Sequence, residues 1–194
     1  MKFFDLPNKE LLGSGILYNC SARVEKNDIG ELEAKGNCTE QGLIKYLLKN
    51  KYPAVDRLET KNESLPDGTP RIVAQIPFNS KRKKATTAVV LPESNNSIVR
   101  VFVKGAPDFV LDLCDTYMDA YGEVVPLEDK KYVMEYVVRD NFAKNAFRTL
   151  LIAYKDIPLT QFEKLKQDNN NFAEEKDREQ LEFLGLTVIG IYGL

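Results

Sequence analysis

The middle of the chain reads Ile98-Val99-Arg100-Val101-Phe102-Val103-Lys104-Gly105-Ala106-Pro107-Asp108, and it carries the clearest indication of the fold. The six residues before Lys104 are mainly β-branched or aromatic and partly alternate with other residues, which predicts a strand. Proline at position 107 suits the first turn of a helix. An apolar stripe of helical spacing follows, formed by Phe109, Val110, Leu113 and Cys114. The stretch therefore predicts a strand, a tight turn and a helix in succession.

Further strands are predicted on both sides of this stretch. Residues 71–76 and 86–91 are rich in β-branched side chains, and the polar link 92–97 suits a tight antiparallel connection to the strand that follows. Residues 149–154 and 186–191 have the same apolar character. The chain therefore contains at least five predicted strands.

Helical patterns lie between the strands. Asn37 and Thr39 are candidate caps of a short helix, Glu40 stands three residues after Asn37 as in a capping box, and the helix carries the stripe Leu43, Ile44, Leu47 and Leu48. A longer helix is predicted over 128–146, with Val133, Val137 and Ala143 on one side. Thr160 and Glu163 form a second capping-box pattern.

Strands joined by hairpins, with helices inserted between them, predict an α+β fold with a central, mainly antiparallel sheet flanked by helices. The polar, turn-rich stretch from Glu59 to Pro70 predicts an exposed loop. A chain of 194 residues suits a single domain.

The composition excludes several classes of function. The net charge of −2 gives no reason to expect nucleic acid or an anionic membrane as a partner, and no run approaches the roughly 20 apolar residues that cross a bilayer. The three cysteines are widely spaced and histidine is absent, so neither a disulfide framework nor a zinc site is indicated. The absence of histidine also removes the Ser/His and Cys/His nucleophile systems. We therefore expect no metal site and no catalytic residue in this chain.

Four separated segments together resemble the landmarks of one protein family. In chain order they are Gly36-Asn37-Cys38-Thr39-Glu40, Pro77-Phe78-Asn79-Ser80-Lys81-Arg82-Lys83, Lys104-Gly105-Ala106-Pro107-Asp108 and Phe147-Arg148-Thr149-Leu150-Leu151-Ile152-Ala153-Tyr154. They resemble the nucleotide-binding domain of P-type cation-transporting ATPases, most closely the plasma-membrane calcium-pumping branch. The resemblance runs from about Gly15 to Leu194, so residues 1–194 are expected to form one nucleotide-binding domain of a larger membrane pump.

The chain departs from the family pattern in two ways. Asp108 stands where the family more often has glutamate, which keeps the charge. The chain also lacks the Asp-Lys-Thr-Gly-Thr segment that carries the phosphorylated aspartate. The resemblance thus implies a monomeric cytoplasmic domain of an integral membrane protein, which binds ATP, as Mg-ATP in the intact pump, but does not hydrolyse it alone. Its implied partners are the phosphorylation and actuator domains of the parent pump.

The resemblance also assigns roles to individual residues, each with a structural alternative. Phe78 would stack on adenine, or it would be a core phenylalanine at a strand end. Lys104 would line the nucleotide pocket, with Gly105 and Ala106 shaping its floor, or it would be an ordinary solvated lysine. Glu40 would accept a hydrogen bond from the adenine amino group, or it would only cap its helix.

Two basic residues are assigned to the phosphate end. Arg148 would reach the polyphosphate with paired donors, or it would bridge to a carboxylate such as Asp140. Lys83 would add positive potential at the pocket mouth, while the rest of the run from Lys81 to Lys84 would be a solvated face or, less in keeping with its place between two strands, a nuclear-import tract.

The sequence contains no glycine-rich phosphate loop, so ATP would be held by its base more than by its phosphates. Two rival functions remain open at this point. One is a scaffold or regulatory interaction module that keeps the fold but has little nucleotide affinity. The other is a self-sufficient ATP hydrolase, for which the sequence offers no nucleophile or base.

Overall fold

A computed structural model describes residues 6–53, 58, 60–68, 70–183 and 185–194. Within these ranges, seven strands form one sheet and two short strands form a separate hairpin. The hairpin strands are β1 (Arg23–Lys26) and β2 (Leu32–Lys35). The sheet strands are β3 (Ile72–Asn79), β4 (Lys84–Val90), β5 (Ile98–Gly105), β6 (Cys114–Met118), β7 (Val124–Pro126), β8 (Thr149–Pro158) and β9 (Leu186–Gly193).

The sheet has the order β3-β4-β5-β8-β9-β6-β7. Every neighbouring pair is antiparallel except β6 and β9, which run parallel. The predicted α+β fold with a mainly antiparallel central sheet is confirmed. The link between β4 and β5 is a tight connection, as the polar segment 92–97 predicts, and it contains a short 3₁₀ turn at Pro92–Ser94.

Helices cover both faces of the sheet. They are α1 (Lys9–Tyr18), α2 (Cys38–Lys49), α3 (Pro107–Val110), α4 (Lys130–Tyr132, continuing as a π-helix over Val133–Phe142), α5 (Leu159–Asp168) and α6 (Glu175–Glu182). The start of α2 follows from its cap, because the Asn37 side chain accepts a hydrogen bond from the Glu40 N–H at 2.9 Å. None of the helices in the described ranges has the length and apolarity that a bilayer-crossing helix requires.

The alternation of β5 divides the core into two layers. Phe102 points to one face, where it packs with Ile152 and with the buried sides of α1 and α2. Val101 and Val103 point to the other face, where they pack with α5 and α6. Because successive strand residues face opposite sides, β5 packs against helices on both faces of the sheet. Each site residue on this part of the sheet can therefore be assigned to the α1/α2 face or to the α5/α6 face.

Two local predictions differ from the structure. The segment predicted as an α-helix over 128–146 is mostly π-helical, and Val138 is buried while Ala143 is exposed. The capping box predicted at Thr160 is not formed, and a reciprocal capping box lies instead at Glu174 and Asp177. The loop predicted from Glu59 to Pro70 includes positions 59 and 69, which lie outside the described residues.

Candidate functional site at one end of the sheet

The predicted binding residues lie at one end of the sheet, where β3 and β5 end and β4 and β8 begin. The antiparallel register explains why. Asn79 pairs with Lys84, Lys84 pairs with Gly105, and Gly105 pairs with Leu151, so four strands place their ends side by side. Segments that are far apart in the sequence are thereby brought to one edge.

Phe78 lies near the end of β3 with 62% of its surface exposed, so it is not a core phenylalanine. Its direction follows from its neighbour, because Asn79 pairs with Lys84, whose ammonium forms an ion pair on the α5/α6 face. Adjacent strand residues point to opposite faces, so Phe78 lies on the α1/α2 face. Ile76 also packs on the α5/α6 face, so strict alternation from Ile76 would turn Phe78 to that face. A one-residue bulge between Ile76 and Asn79 removes this conflict, because it adds one residue to β3 and leaves Pro77 and Phe78 together on the α1/α2 face.

Lys104 lies on the same α1/α2 face and is buried, with 5% of its surface exposed. Its ammonium donates to Oε1 of Glu40 at 2.9 Å and to the Asn19 carbonyl at 2.5 Å. The alternative of an ordinary solvated lysine is therefore wrong. A buried ammonium requires compensation by charge and hydrogen bonds, and Glu40 and Asn19 supply both.

The Glu40 carboxylate is held from a second side by Ser21. The Ser21 N–H and hydroxyl donate to Oε2 of Glu40 at 3.1 and 2.7 Å. Glu40 thus does not complete a reciprocal capping box, because its side chain turns to Ser21 and Lys104 rather than back to Asn37. A carboxylate offers about four acceptor positions, and three donors occupy three of them. Among the residues that the structure describes, no fourth donor contacts the carboxylate, so one acceptor position is left.

The charge of Glu40 is maintained in spite of its burial. Burial pushes the pKa of this carboxyl upward, but the Lys104 ammonium and the two Ser21 hydrogen bonds outweigh burial, so the pKa lies below its usual value. Nearby, burial and the Glu40 charge raise the pKa of the Cys20 thiol. Glu40 is therefore an anion and Cys20 a neutral thiol at neutral pH.

Gly105 is needed for a backbone contact within the protein. A Cβ atom at this position would lie 2.5 Å from the carbonyl oxygen of Lys83, which is closer than real contacts allow. The same carbonyl accepts a hydrogen bond from the Ala106 N–H at 3.0 Å. Lys83 itself has a φ of 53°, in the left-handed region. The turn after β5 and the turn before β4 are thus fixed to each other, and this contact explains the glycine without a ligand.

Arg148 lies at the start of β8, exposed, and its guanidinium donates to the Thr39 hydroxyl at 3.2 Å. Thr39 precedes Glu40 in α2, so this contact joins Arg148 to the first turn of the helix that carries Glu40. The proposed bridge to Asp140 is not formed, because Asp140 pairs with Arg139 and Lys144.

The basic run 81–84 is not a uniform solvated face. Lys81 and Lys83 are exposed, but Arg82 is buried and pairs with Glu182 at 2.6 Å. Sequence reasoning missed Arg82, as it missed Asn19 and Ser21. The available signal was weak. The alternation of residues 82, 84 and 86 places them on one face of β4 and its turn, but nothing local identifies their partner on α6.

A cavity of about 450 Å³ is lined by Ser21, whose hydroxyl donates to Glu40, and by Cys20, Lys61 and Gln75, but Glu40 itself is not in its lining. Phe78, Lys104 and Arg148 are outside this lining. The predicted site therefore combines the exposed side chains of Phe78 and Arg148 with the buried Lys104–Glu40 pair. Within the described ranges, no three cysteine, aspartate or glutamate side chains are grouped as they would be to hold a metal ion.

These features define an α+β domain with a group of charged side chains and the exposed Phe78 ring at one end of its sheet. Residues 8–194 match the family model of the P-type ATPase cytoplasmic domain N. The chain therefore belongs to the family of P-type ATPase cytoplasmic N domains.

Curated relatives agree with this assignment. The chain is 31% identical over 98% of its length to a putative calcium-transporting ATPase 7, plasma membrane-type, of Arabidopsis thaliana. It is 34% identical over 76% of its length to a probable calcium-transporting ATPase 9, plasma membrane-type, of Oryza sativa subsp. japonica. It spans 16% and 13% of the lengths of these relatives.

Proposed function

We propose that this chain is the ATP-binding domain of a calcium-transporting P-type pump of the plasma membrane, and that it holds ATP mainly by its adenine. The observation that carries the proposal is the exposed Phe78 ring, which shares a sheet face and a sheet end with the Lys104–Glu40 pair. An exposed aromatic ring is costly to leave in water and offers a flat surface on which a base stacks. The relatives' names support the choice of ion and membrane.

The polar groups around the ring suit adenine. The remaining acceptor position of Glu40 is available to the exocyclic amino group, which is a donor in adenine and is replaced by a carbonyl acceptor in guanine. Lys104 keeps the carboxylate charged and in place. Gly105 and Ala106 form the turn beside it, so the base would lie between this turn and the Phe78 ring.

The phosphates would extend toward the exposed cations. Arg148 presents a guanidinium at the rim of the site, and Lys83 presents an ammonium on the neighbouring turn. With no phosphate loop, the far end of ATP stays free. In the intact pump, domain closure would carry the γ-phosphate to an aspartate on a separate phosphorylation domain, which would also hold most of the Mg²⁺ coordination.

An ATP titration followed by amide chemical shifts tests this proposal. One base stack and a few exposed polar contacts supply roughly 4–5 kcal/mol, so the expected Kd is on the order of 0.1 to several millimolar and hardly depends on Mg²⁺. Shifts should concentrate at Phe78, Lys83, Lys104 and Arg148. Absence of shifts at high ATP would reject the proposal and favour the scaffold alternative. Phosphate release from ATP should not exceed a buffer blank.

A further inference from the structure

The nucleotide-facing hairpin between β3 and β4 is held from the opposite face of the sheet by a carboxylate. Glu182 ends α6 and is almost completely buried, with 1% of its surface exposed. Its Oε1 accepts hydrogen bonds from Nη1 of Arg82 at 2.6 Å and from the Thr86 hydroxyl at 2.5 Å. Its Oε2 lies 3.0 Å from the Lys84 ammonium. All three partners belong to the hairpin turn and the first residues of β4.

The contact continues from Arg82 to the backbone beside Phe78. Nη2 of Arg82 donates to the Pro77 carbonyl at 3.2 Å and to the Lys84 carbonyl at 3.4 Å. The Pro77 carbonyl belongs to the peptide that joins Pro77 to Phe78. Because these carbonyls lie on the two strands of the hairpin, the guanidinium ties its two sides together, and Glu182 fixes the orientation of the guanidinium.

Arg82 and Glu182 are both buried, which is rare for charged side chains unless they are paired. Burying a carboxylate costs free energy unless charge and hydrogen bonds compensate, and replacing such a cluster with apolar residues is often neutral or stabilising. The cluster does, however, define one geometry for the bulged end of β3, where the regular ladder is interrupted between Ile76 and Asn79. It therefore supplies a constraint at the point where the sheet itself supplies little.

We propose that Glu182 is a positioning residue for nucleotide binding, which acts through Arg82 to hold Phe78 and Lys83 in their binding orientation. The inference rests on the proposed function. The inference extends the proposed function, because ATP affinity at the α1/α2 face would depend on a carboxylate of the α5/α6 face. Glu182 does not lie on the face that binds the nucleotide, so its effect on binding is indirect.

The direction in which ATP affinity changes in Glu182→Gln distinguishes a positioning role from a purely electrostatic one. ATP is a polyanion, so removing a nearby negative charge should by itself tighten binding. Loss of positioning should weaken it. The two explanations therefore predict changes in opposite directions for Glu182→Gln.

The test compares Glu182→Gln with Glu179→Gln, an exposed residue of the same helix that undergoes the same change of charge. ATP affinity is measured well below each melting temperature. We expect Glu182→Gln to weaken ATP binding about five- to tenfold and Glu179→Gln to leave it unchanged or slightly tighter. A folded Glu182→Gln variant with wild-type or higher ATP affinity would overturn the proposal.

A second variant keeps the test decisive if Glu182→Gln does not fold. Arg82→Lys preserves the charge but loses the paired donors that reach both Glu182 and the Pro77 carbonyl. It should weaken ATP to a similar extent. Where Glu182→Gln does fold, the two losses should not add in the double variant, since both substitutions break one chain of contacts. Unchanged affinity in folded Arg82→Lys, or fully additive losses, would contradict the proposal.

A readout without nucleotide separates this proposal from the proposed function. The amide and ring resonances of Phe78 should shift in Glu182→Gln and Arg82→Lys and stay in place in Glu179→Gln. If the wild-type chain does not bind ATP but the Phe78 resonances still respond, the proposed function fails while the structural link from Glu182 to Phe78 stands. If the wild-type chain binds ATP and the resonances do not respond, the link fails alone.

Discussion

The Nζ atom of Lys104 lies 2.9 Å from Oε1 of Glu40, which joins the end of β5 to the first turn of α2. The resemblance assigned the two residues separately to the nucleotide, yet they are each other's partner. Both are largely buried, so the pair forms the base of the proposed site and any ligand must share Glu40 with Lys104 and Ser21. We therefore expect substitutions of Glu40 to change both stability and nucleotide binding.

The first prediction concerns Glu40 and stability. Glu40→Gln removes the charge that compensates buried Lys104 and should lower the free energy of unfolding at pH 7 by about 1–3 kcal/mol. Because the folded-state pKa of Glu40 is lowered, its contribution is complete above the unfolded pKa of about 4.3 and is lost as pH falls through the folded value. The difference between the two proteins should thus shrink as the pH falls below the unfolded pKa of about 4.3.

Urea unfolding at several pH values checks this prediction. Glu33→Gln is the matched control, since Glu33 pairs with Lys35 in an exposed ion pair and should affect stability far less. A constant difference between wild type and Glu40→Gln across the pH range would show that Glu40 does not act through its charge.

A second prediction concerns the choice of base. ATP should bind more tightly than GTP, because guanine would place a carbonyl opposite the Glu40 carboxylate, acceptor against acceptor. Glu40→Gln should lower the ratio of ATP affinity to GTP affinity, since an amide can donate a hydrogen bond as well as accept one. Parallel titrations with both nucleotides measure the ratio. Equal affinities in the wild-type chain would show that Glu40 does not read the base.

A third prediction concerns the phosphate end. Arg148→Ala should weaken ATP several-fold and leave adenosine binding nearly unchanged, because the exposed guanidinium would contact the phosphates rather than the base. The loss should decrease at high salt, where exposed charges are screened. Lys176→Ala, which removes an exposed cation from α6, is the control and should not affect either ligand. If Arg148→Ala weakened adenosine and ATP binding equally, Arg148 would not act through the phosphates.

Local patterns predicted much of the fold. The strand over 98–103 is observed as part of β5, since its β-branched composition and its alternation agree with a place between β4 and β8. The helix after Asn37 begins where the cap predicts. The segment 133–142 departs from the prediction because a π-helix pairs residues i and i+5, so the spacing expected for an α-helix does not identify its buried side.

The contacts within the site could not be predicted in the same way. Lys104 and Glu40 are 64 positions apart, and Arg82 and Glu182 are 100 positions apart. A charged residue carries no local signal of burial, because its partner is determined by the tertiary fold. Family resemblance identified Glu40 and Lys104, whereas Arg82 appeared only as part of a basic run until the structure placed it beside Glu182.

If ATP is held by its base on Phe78, removal of this ring must weaken binding without unfolding the domain, so ATP affinity and melting temperature are measured on Phe78→Ala. The matched control is Tyr121→Ala, which removes an exposed ring between β6 and β7, at the opposite edge of the sheet. We predict that Phe78→Ala weakens ATP by about 1–3 kcal/mol with little change in melting temperature, and that Tyr121→Ala changes neither quantity. Wild-type ATP affinity in folded Phe78→Ala would contradict the account.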